Sequence, residues 1–393
     1  MSERSRWQAV SVLIAVLGAV ALFGGQARAG EPEGPPPNLI VPYVPSPMGV
    51  VEAMLETAKV GKDDVVYDLG CGDGRIVIAA VKKYGAKKGV GIDLNPQRIK
   101  ESKANAEKDG VTDKVEFRLG DILEADLKPA TVVTCYLLPR VNLMVRPIMF
   151  RDLKPGSRVV SHAFTMAEWR EDVPVVRPKD TPYNNVYFWY IPAPVGGTWA
   201  WTMKVKDADT PCKLALAQEF QAVAGTLVAG GADGVGITDT SLKGRDFAFT
   251  APVKMDGQPV KVTFKGVADG DTIQGEATWE GGKQPWAAKR TPIDLTGTWK
   301  VQTNAKDEKL NGTLVIERKN DVLAATYAFE KDPKRQPIKA FYVWGACLRF
   351  DVPTGEPDTT FNFRGSFGAE AASGPVGREG YGQEAAWSAQ RVK

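Results

Sequence analysis

The 393-residue sequence predicts an α/β domain built on a parallel sheet, followed by two all-β modules. Three observations lead there. Between Val50 and Tyr190, apolar residues recur alternately at helical spacing and in short strand-like runs. Beyond Pro194 the pattern changes to short strands separated by Gly, Asp and Asn turns. Within that second half, short sequences return roughly one hundred residues on. The expected divisions are an export signal at 1–29, a Pro-rich linker at 30–38, the α/β domain at 39–193, and modules at 194–292 and 293–393.

Arg4 and Arg6 precede the apolar run Ala9–Phe23, and Ala27-Arg28-Ala29 offers small residues at alternate positions. A charged start, an apolar middle and an A-x-A site are the marks of a secretory signal cut near Ala29. The run is shorter than the roughly 20 residues a spanning helix needs. The expectation is export to the periplasm or medium, with membrane anchoring by residues 9–23 as the alternative. Glu31–Pro37 is too polar and too rich in proline to join a core.

Val50, Val51, Met54, Leu55 and Ala58 mark the first helix of the α/β domain, and Val65–Leu69 the first strand. A helix over Arg75–Tyr84, a strand over Gly89–Leu94 and a charged helix over Pro96–Lys108 follow. Val115–Leu119, Ala130–Leu138 and Arg158–Phe164 supply further strands. Strand and helix in alternation imply right-handed crossovers and a sheet covered on both faces. In the β half, Gly197-Thr198-Trp199 returns as Gly297-Thr298-Trp299 and Phe264-Lys265-Gly266 as Phe363-Arg364-Gly365. Trp286–Arg290 returns as Trp387–Arg391. Each module therefore reads as a small antiparallel barrel or sandwich whose recurring tryptophans plug its core.

Composition excludes several classes. Hydrophobic residues make up 43% and charged residues 25%, so neither a disordered polymer nor a many-span membrane protein fits. Fifty basic residues against 47 acidic ones, spread along the chain, form no concentrated basic face for a nucleic-acid backbone. One histidine and four cysteines leave little for a Cys/His metal cage, and free thiols are expected.

The most informative motif is Asp68-Leu69-Gly70-Cys71-Gly72-Asp73-Gly74-Arg75, between a strand and a helix. A glycine-rich turn there lets a nucleotide-type ligand approach the backbone. A dinucleotide fingerprint would need glycine where Arg75 stands, and Asp68 and Asp73 would repel a pyrophosphate. The next strand ends in Asp93, followed by Leu94, where a carboxylate can accept hydrogen bonds from both hydroxyls of a ribose. One strand further, Asp121 and Ile122 stand where an adenine amino group can be held.

These three acids at consecutive strand ends resemble the class I S-adenosylmethionine-dependent methyltransferases, a seven-stranded Rossmann-like fold. More narrowly, Val41–Pro47, Tyr67–Val77, Tyr136-Leu137-Leu138-Pro139, and Val159-Val160-Ser161 with Phe164 and Trp169 resemble the ATP synthase c-subunit lysine methyltransferases and their bacterial relatives. The resemblance covers about residues 39–190 and departs at Cys71, where eukaryotic members carry serine. It implies S-adenosylmethionine as cofactor, held by Asp68, Gly70, Cys71, Gly72, Gly74, Asp93, Leu94, Asp121 and Ile122, with Tyr43 covering it. It also implies a lysine amine of a protein as acceptor, at Tyr136–Pro139.

Methyl transfer from a sulfonium is an in-line displacement governed by positioning and exclusion of water. Tyr136 offers a hydrogen bond to the acceptor, and Pro139 fixes the turn after it. His162, the only histidine, is expected at the catalytic edge of the sheet with a pKa suited to accepting a proton. Two other readings stay open: transfer to a small metabolite, and an exported binding protein whose methyltransferase domain is vestigial. Nucleic acid is not an expected partner.

Overall fold

The computed structural model describes residues 41–178, 184–205, 208–304, 310–319, 322–338, 340–344, 347–353, 360–367, 370–378 and 385–392. The expected export signal at 1–29, its alternative as an anchor at 9–23 and the linker at 30–38 lie outside these residues. Among the described residues no helix is long and apolar enough to cross a membrane.

The N-terminal half is a six-stranded sheet. Its elements are α1 (Met48–Thr57), β1 (Val65–Leu69), α2 (Arg75–Lys82), β2 (Lys88–Asp93), α3 (Pro96–Asp109), β3 (Val115–Leu119), β4 (Val132–Cys135), α4 (Pro139–Asp152), β5 (Arg158–His162) and β6 (Val186–Tyr190). The spatial order is β3-β2-β1-β4-β5-β6, parallel except for β6, which runs antiparallel to β5. The order reverses between β1 and β4, so the loops after β1 and β4 open onto one crevice.

Period-two alternation divides the core. Val66, Val132 and Val160 face the layer that holds α1, α2 and α3. Tyr67, Leu69, Val133 and Val159 face the layer that holds α4.

The sheet has six strands among the described residues, against an expectation of seven. After β5 the chain turns back into the antiparallel β6 rather than adding a parallel unit. Helix α4 is a further difference from the sequence expectation, which places no element there, and it holds Pro147 inside it although proline usually ends a helix. Its signal is the recurrence of Val141, Val145, Ile148 and Met149, all buried on one face. The strand expected over Ala130–Leu138 is only Val132–Cys135, since Pro139 opens α4 at its first position.

The C-terminal half consists of two nine-stranded antiparallel sheets with the same strand order. In each, the first and last strands meet at mid-sheet, Gly197–Val205 beside Gly282–Arg290 and Gly297–Thr303 beside Ala385–Arg391. Meanders of three and four strands continue outward from that seam, and each sheet is barrel-like. Trp199 and Trp299 are fully buried, and each indole N–H donates to a carbonyl four residues back, Val195 at 2.7 Å and Leu295 at 3.0 Å. Phe249 stacks on Phe264 with Trp286 edge-on, as Phe350 stacks on Phe363 with Trp387 edge-on. These aromatics are core residues, and their offset and edge-on geometry is the favoured one for π-systems.

Cys71, Cys135 and Cys212 are buried free thiols.

Candidate active site

The crevice at the β1/β4 reversal holds a cleft of about 1010 Å³, open mouth included. The glycine loop, the ends of β2 and β3, the end of β4 and the segment Val41–Ser46 line it. Tyr43, Asp68, Gly70, Cys71, Gly72, Asp93, Leu94, Asp121, Ile122 and Tyr136, all expected from sequence, face this one space.

The loop owes its shape to backbone chemistry. Gly70 and Cys71 both donate their N–H to the carbonyl of Ile92, at 2.9 and 3.0 Å, which ties the end of β1 to β2. The Asp93 carboxylate accepts the Gly72 N–H at 2.9 Å on one oxygen and the Asn95 N–H at 2.9 Å on the other. Asp93 therefore orders the loop, and each oxygen keeps a lone pair for a hydroxyl. Asp121 accepts the Leu123 N–H at 2.8 Å and caps a short 3-10 turn, which presents Ile122 to the cleft.

Gly72 has φ +53°, and a Cβ there would lie 2.5 Å from the Tyr43 ring. The absent side chain is what lets Tyr43 cover the loop. The Arg98 guanidinium stacks on that ring at 4.3 Å. Arg75 completes the enclosure. It grips Asp73 through two nitrogens, at 2.9 and 2.6 Å, and donates to the Ser46 carbonyl at 2.8 Å. Burial works to raise the Asp73 carboxyl, but the bonds to Arg75 outweigh it and hold the group below the usual carboxylate range. The charge that Asp73 was expected to set against a ligand is thus paired within the protein.

Asp68 is fully enclosed, and Thr134 donates to it at 2.7 Å. Burial raises its pKa to about 7, opposed by that bond and reinforced by Asp93 and Asp73. Burial and the same acids push the Cys71 thiol far up, so it is a neutral wall of the cleft.

Three expected site residues stand elsewhere. Gly74 does not line the cleft. It turns with φ +79° into α2, and a Cβ there would meet Phe117 at 2.6 Å and Ser102 at 2.9 Å. Its need for glycine comes from packing on the far side of the loop. Pro139 is exposed at the first position of α4, away from the cleft lining.

His162 is completely buried, with Nδ1 2.8 Å from Ser46 Oγ and Nε2 2.8 Å from Asn184 Oδ1. The carbonyl partner places the ring proton on Nε2, so Nδ1 accepts from Ser46. Burial lowers its pKa, partly offset by the Asn184 bond. With both nitrogens taken, it has no free site for a substrate proton. Its ring supports Tyr136 at 3.8 Å between centroids, and Phe164 stacks nearby at 6.2 Å. His162 is a positioning residue.

Arg75, Arg98 and Ser46 carry roles that sequence reasoning does not assign. In the sequence Arg75 registers only as a missing glycine. No spacing rule links Ser46 to a histidine 116 residues away.

The residues present fit an adenosyl ligand: acids at two strand ends for ribose and adenine, apolar Leu94 and Ile122 between them, and a glycine loop under an aromatic cover. Fold and cleft together define an S-adenosylmethionine-dependent methyltransferase.

Comparisons with known proteins narrow the class. A family model for the ANTKMT methyltransferase domain matches residues 68–173. A protein-lysine N-methyltransferase of Saccharolobus islandicus is 49% identical over 151 residues, covering 38% of this chain and 93% of that protein. The ATP synthase c-subunit lysine N-methyltransferase of Homo sapiens is 30% identical over 135 residues; these are 34% of this chain and 57% of the human protein's length. A solved RNA methyltransferase from Salinibacter ruber, in complex with S-adenosyl-L-homocysteine, is 52% identical. The match covers 38% of this chain and 94% of that one, with a TM-score of 0.36. The chain belongs to the family of S-adenosylmethionine-dependent protein-lysine N-methyltransferases, and S-adenosylmethionine is its cofactor.

A pH dependence follows from Asp68. The cofactor carries a sulfonium and an ammonium, so its binding favours the ionised carboxylate. Affinity is expected to rise as pH increases through about 7 and to level off above it. Stability without cofactor runs the other way. A carboxyl raised in the folded state gives its full contribution below the unfolded value near 3.8, and loses it as pH rises through about 7. Calorimetric titration from pH 5.5 to 8.5 should show the rise in affinity, and Asp68→Asn should flatten it. An unchanged slope in that variant would assign the dependence to another group.

Proposed function

We propose that this protein methylates the side-chain amine of a lysine in a protein substrate, presented beside Tyr136 where β4 ends at the cleft. The observation that carries this reading is the aromatic lip there. Tyr136 lines the cofactor cleft, half-buried, with its ring held against His162 and Phe164. Desolvation at this half-buried lip disfavours an ammonium and favours the neutral amine, which alone has the lone pair for attack. The 49% identity across nearly all of a protein-lysine N-methyltransferase supports the same acceptor.

When bound, S-adenosylmethionine supplies an electrophilic methyl group. The protein's part is placement. Asp93 and Asp121 hold the ribose and the adenine, and Asp68 faces the cationic methionyl end. Tyr43, pinned by Arg98, covers the loop, while Arg75 and His162 hold Ser46 so that the cover stays closed against water. Burial raises the Tyr136 phenol, so its hydroxyl stays protonated and offers one hydrogen bond to an incoming amine. The amine releases its proton to solvent before it attacks.

The division into a methyltransferase domain at 39–193 and modules at 194–292 and 293–393 is part of the proposal, as is export directed by residues 1–29. The matched strand order and the matched Trp–Phe clusters support reading the two modules as copies of one unit.

The full chain incubated with methyl-tritiated S-adenosylmethionine and an envelope protein extract is expected to label protein, and acid hydrolysis should release the label as methyl-lysine. Label confined to RNA or to the low-molecular-weight fraction would overturn the acceptor. Absence of cofactor binding would overturn the enzyme.

A further inference from the structure

A second cavity, about 1470 Å³ with its mouth, lies where α4 meets both β-modules. Its apolar wall comes from all three parts: Pro147 and Phe150 of α4, Phe220 and Val223 of the first module, Leu348 and Pro375 of the second. Phe150 packs 5.6 Å from Phe220 and 4.7 Å from Trp169, between ring centroids. Nothing in the methyl-transfer site uses this space.

The cavity is also cationic. Arg146 is 6% exposed, donates to the Met166 carbonyl at 2.7 Å and pairs with Glu168 at 3.1 Å. Arg364 reaches the same Glu168 oxygen from the second module. Arg349 pairs with Asp351 through two bonds of 2.9 Å. Glu168 and Asp351 are not among the residues that line the cavity, so the wall itself presents the guanidiniums. The Arg146 and Arg364 guanidiniums both lie over the Phe220 ring, at 5.2 and 5.6 Å. Burial above all, with the nearby Arg364 and Arg349, lowers the Arg146 pKa to about 10 against the opposing effect of Glu168. Two other charged groups line the cavity: Arg151, bonded to Asp152, and the exposed Glu219.

We propose that this cavity binds an anionic amphiphile, a molecule with an aliphatic body and a single carboxylate or phosphate head. The body lies on Phe150, Phe220 and Leu348, where apolar area leaves water. The head meets Arg349 and Arg364, whose planar forks suit two-oxygen anions. A ligand there touches α4 and both modules at once, so binding draws the modules onto the catalytic half. The site is independent of the methyl acceptor.

The test titrates the full chain with dodecanoate and dodecyl phosphate below their micellar concentrations, by calorimetry and by the tryptophan fluorescence that Trp169 contributes. Dodecyltrimethylammonium and inorganic phosphate serve as controls. Saturable binding of at least one anionic amphiphile is expected, at least tenfold tighter than either control, and the preferred anion identifies the head group. Arg349→Gln should weaken it at least tenfold. Ala224→Trp, which fills the cavity from an exposed strand position, should abolish it while S-adenosylmethionine binding stays unchanged. Equal binding of the cationic amphiphile, no saturable binding, or full binding by the Ala224→Trp variant would overturn the proposal.

Discussion

Asp93→Ala is expected to weaken S-adenosylmethionine binding at least ~100-fold while the protein stays folded. The carboxylate accepts the N–H groups of Gly72 and Asn95, so alanine removes the ribose acceptor and the anchor of the glycine loop together. Hydrogen bonds to a charged group contribute about 1.5–3 kcal/mol each, and two of them exceed the roughly 2.8 kcal/mol that a hundredfold change represents. Asp93→Asn keeps the shape and one acceptor oxygen, and should fall between wild type and alanine. Calorimetry measures the affinity and circular dichroism checks the fold. An alanine variant that bound within threefold of wild type would remove Asp93 from the cofactor site.

Gly74→Ala should act differently, on stability rather than affinity. The residue sits at φ +79°, a conformation that costs an L-residue about 1–2 kcal/mol. Its new Cβ would also overlap Phe117 and Ser102, and overpacking costs about 1–3 kcal/mol more. A total loss of ~2–5 kcal/mol is a large part of a typical folding stability. Urea unfolding should show this loss, while the molecules that remain folded bind cofactor with nearly wild-type affinity. Lost affinity at unchanged stability would return Gly74 to the ligand-contacting set. The two variants thus separate contact with the cofactor from packing behind the loop that cradles it.

Much of the cofactor cleft is legible in the sequence because its chemistry is local. A short buried strand, a glycine turn and an acid at the strand end lie within ten residues, and parallel packing repeats the arrangement at Asp93 and Asp121. Tyr43 is placed by resemblance, and its reason for being there, the missing side chain of Gly72, is visible only in three dimensions. His162 is misjudged from sequence because a lone histidine near a sheet edge looks the same whether its nitrogens are free or taken. Ser46 and Asn184, which take them, come from opposite sides along the chain. Helix α4 has no counterpart in the sequence expectations; tertiary burial of its apolar stripe overrides the local penalty of Pro147.

The sequence by itself determined the alternation of strands and helices as far as β3, the cofactor class and the changed pattern of the second half. All three follow from periodicity and from short motifs whose groups are near neighbours along the chain. Tertiary structure decided the rest: that Asp73 is neutralised by Arg75, that His162 supports Tyr136 rather than taking a proton, and that four arginines from two distant regions converge on one cavity. The physical reason is common to all three. Charge state and hydrogen-bond availability depend on which groups meet across the fold, and no spacing in the chain encodes those meetings.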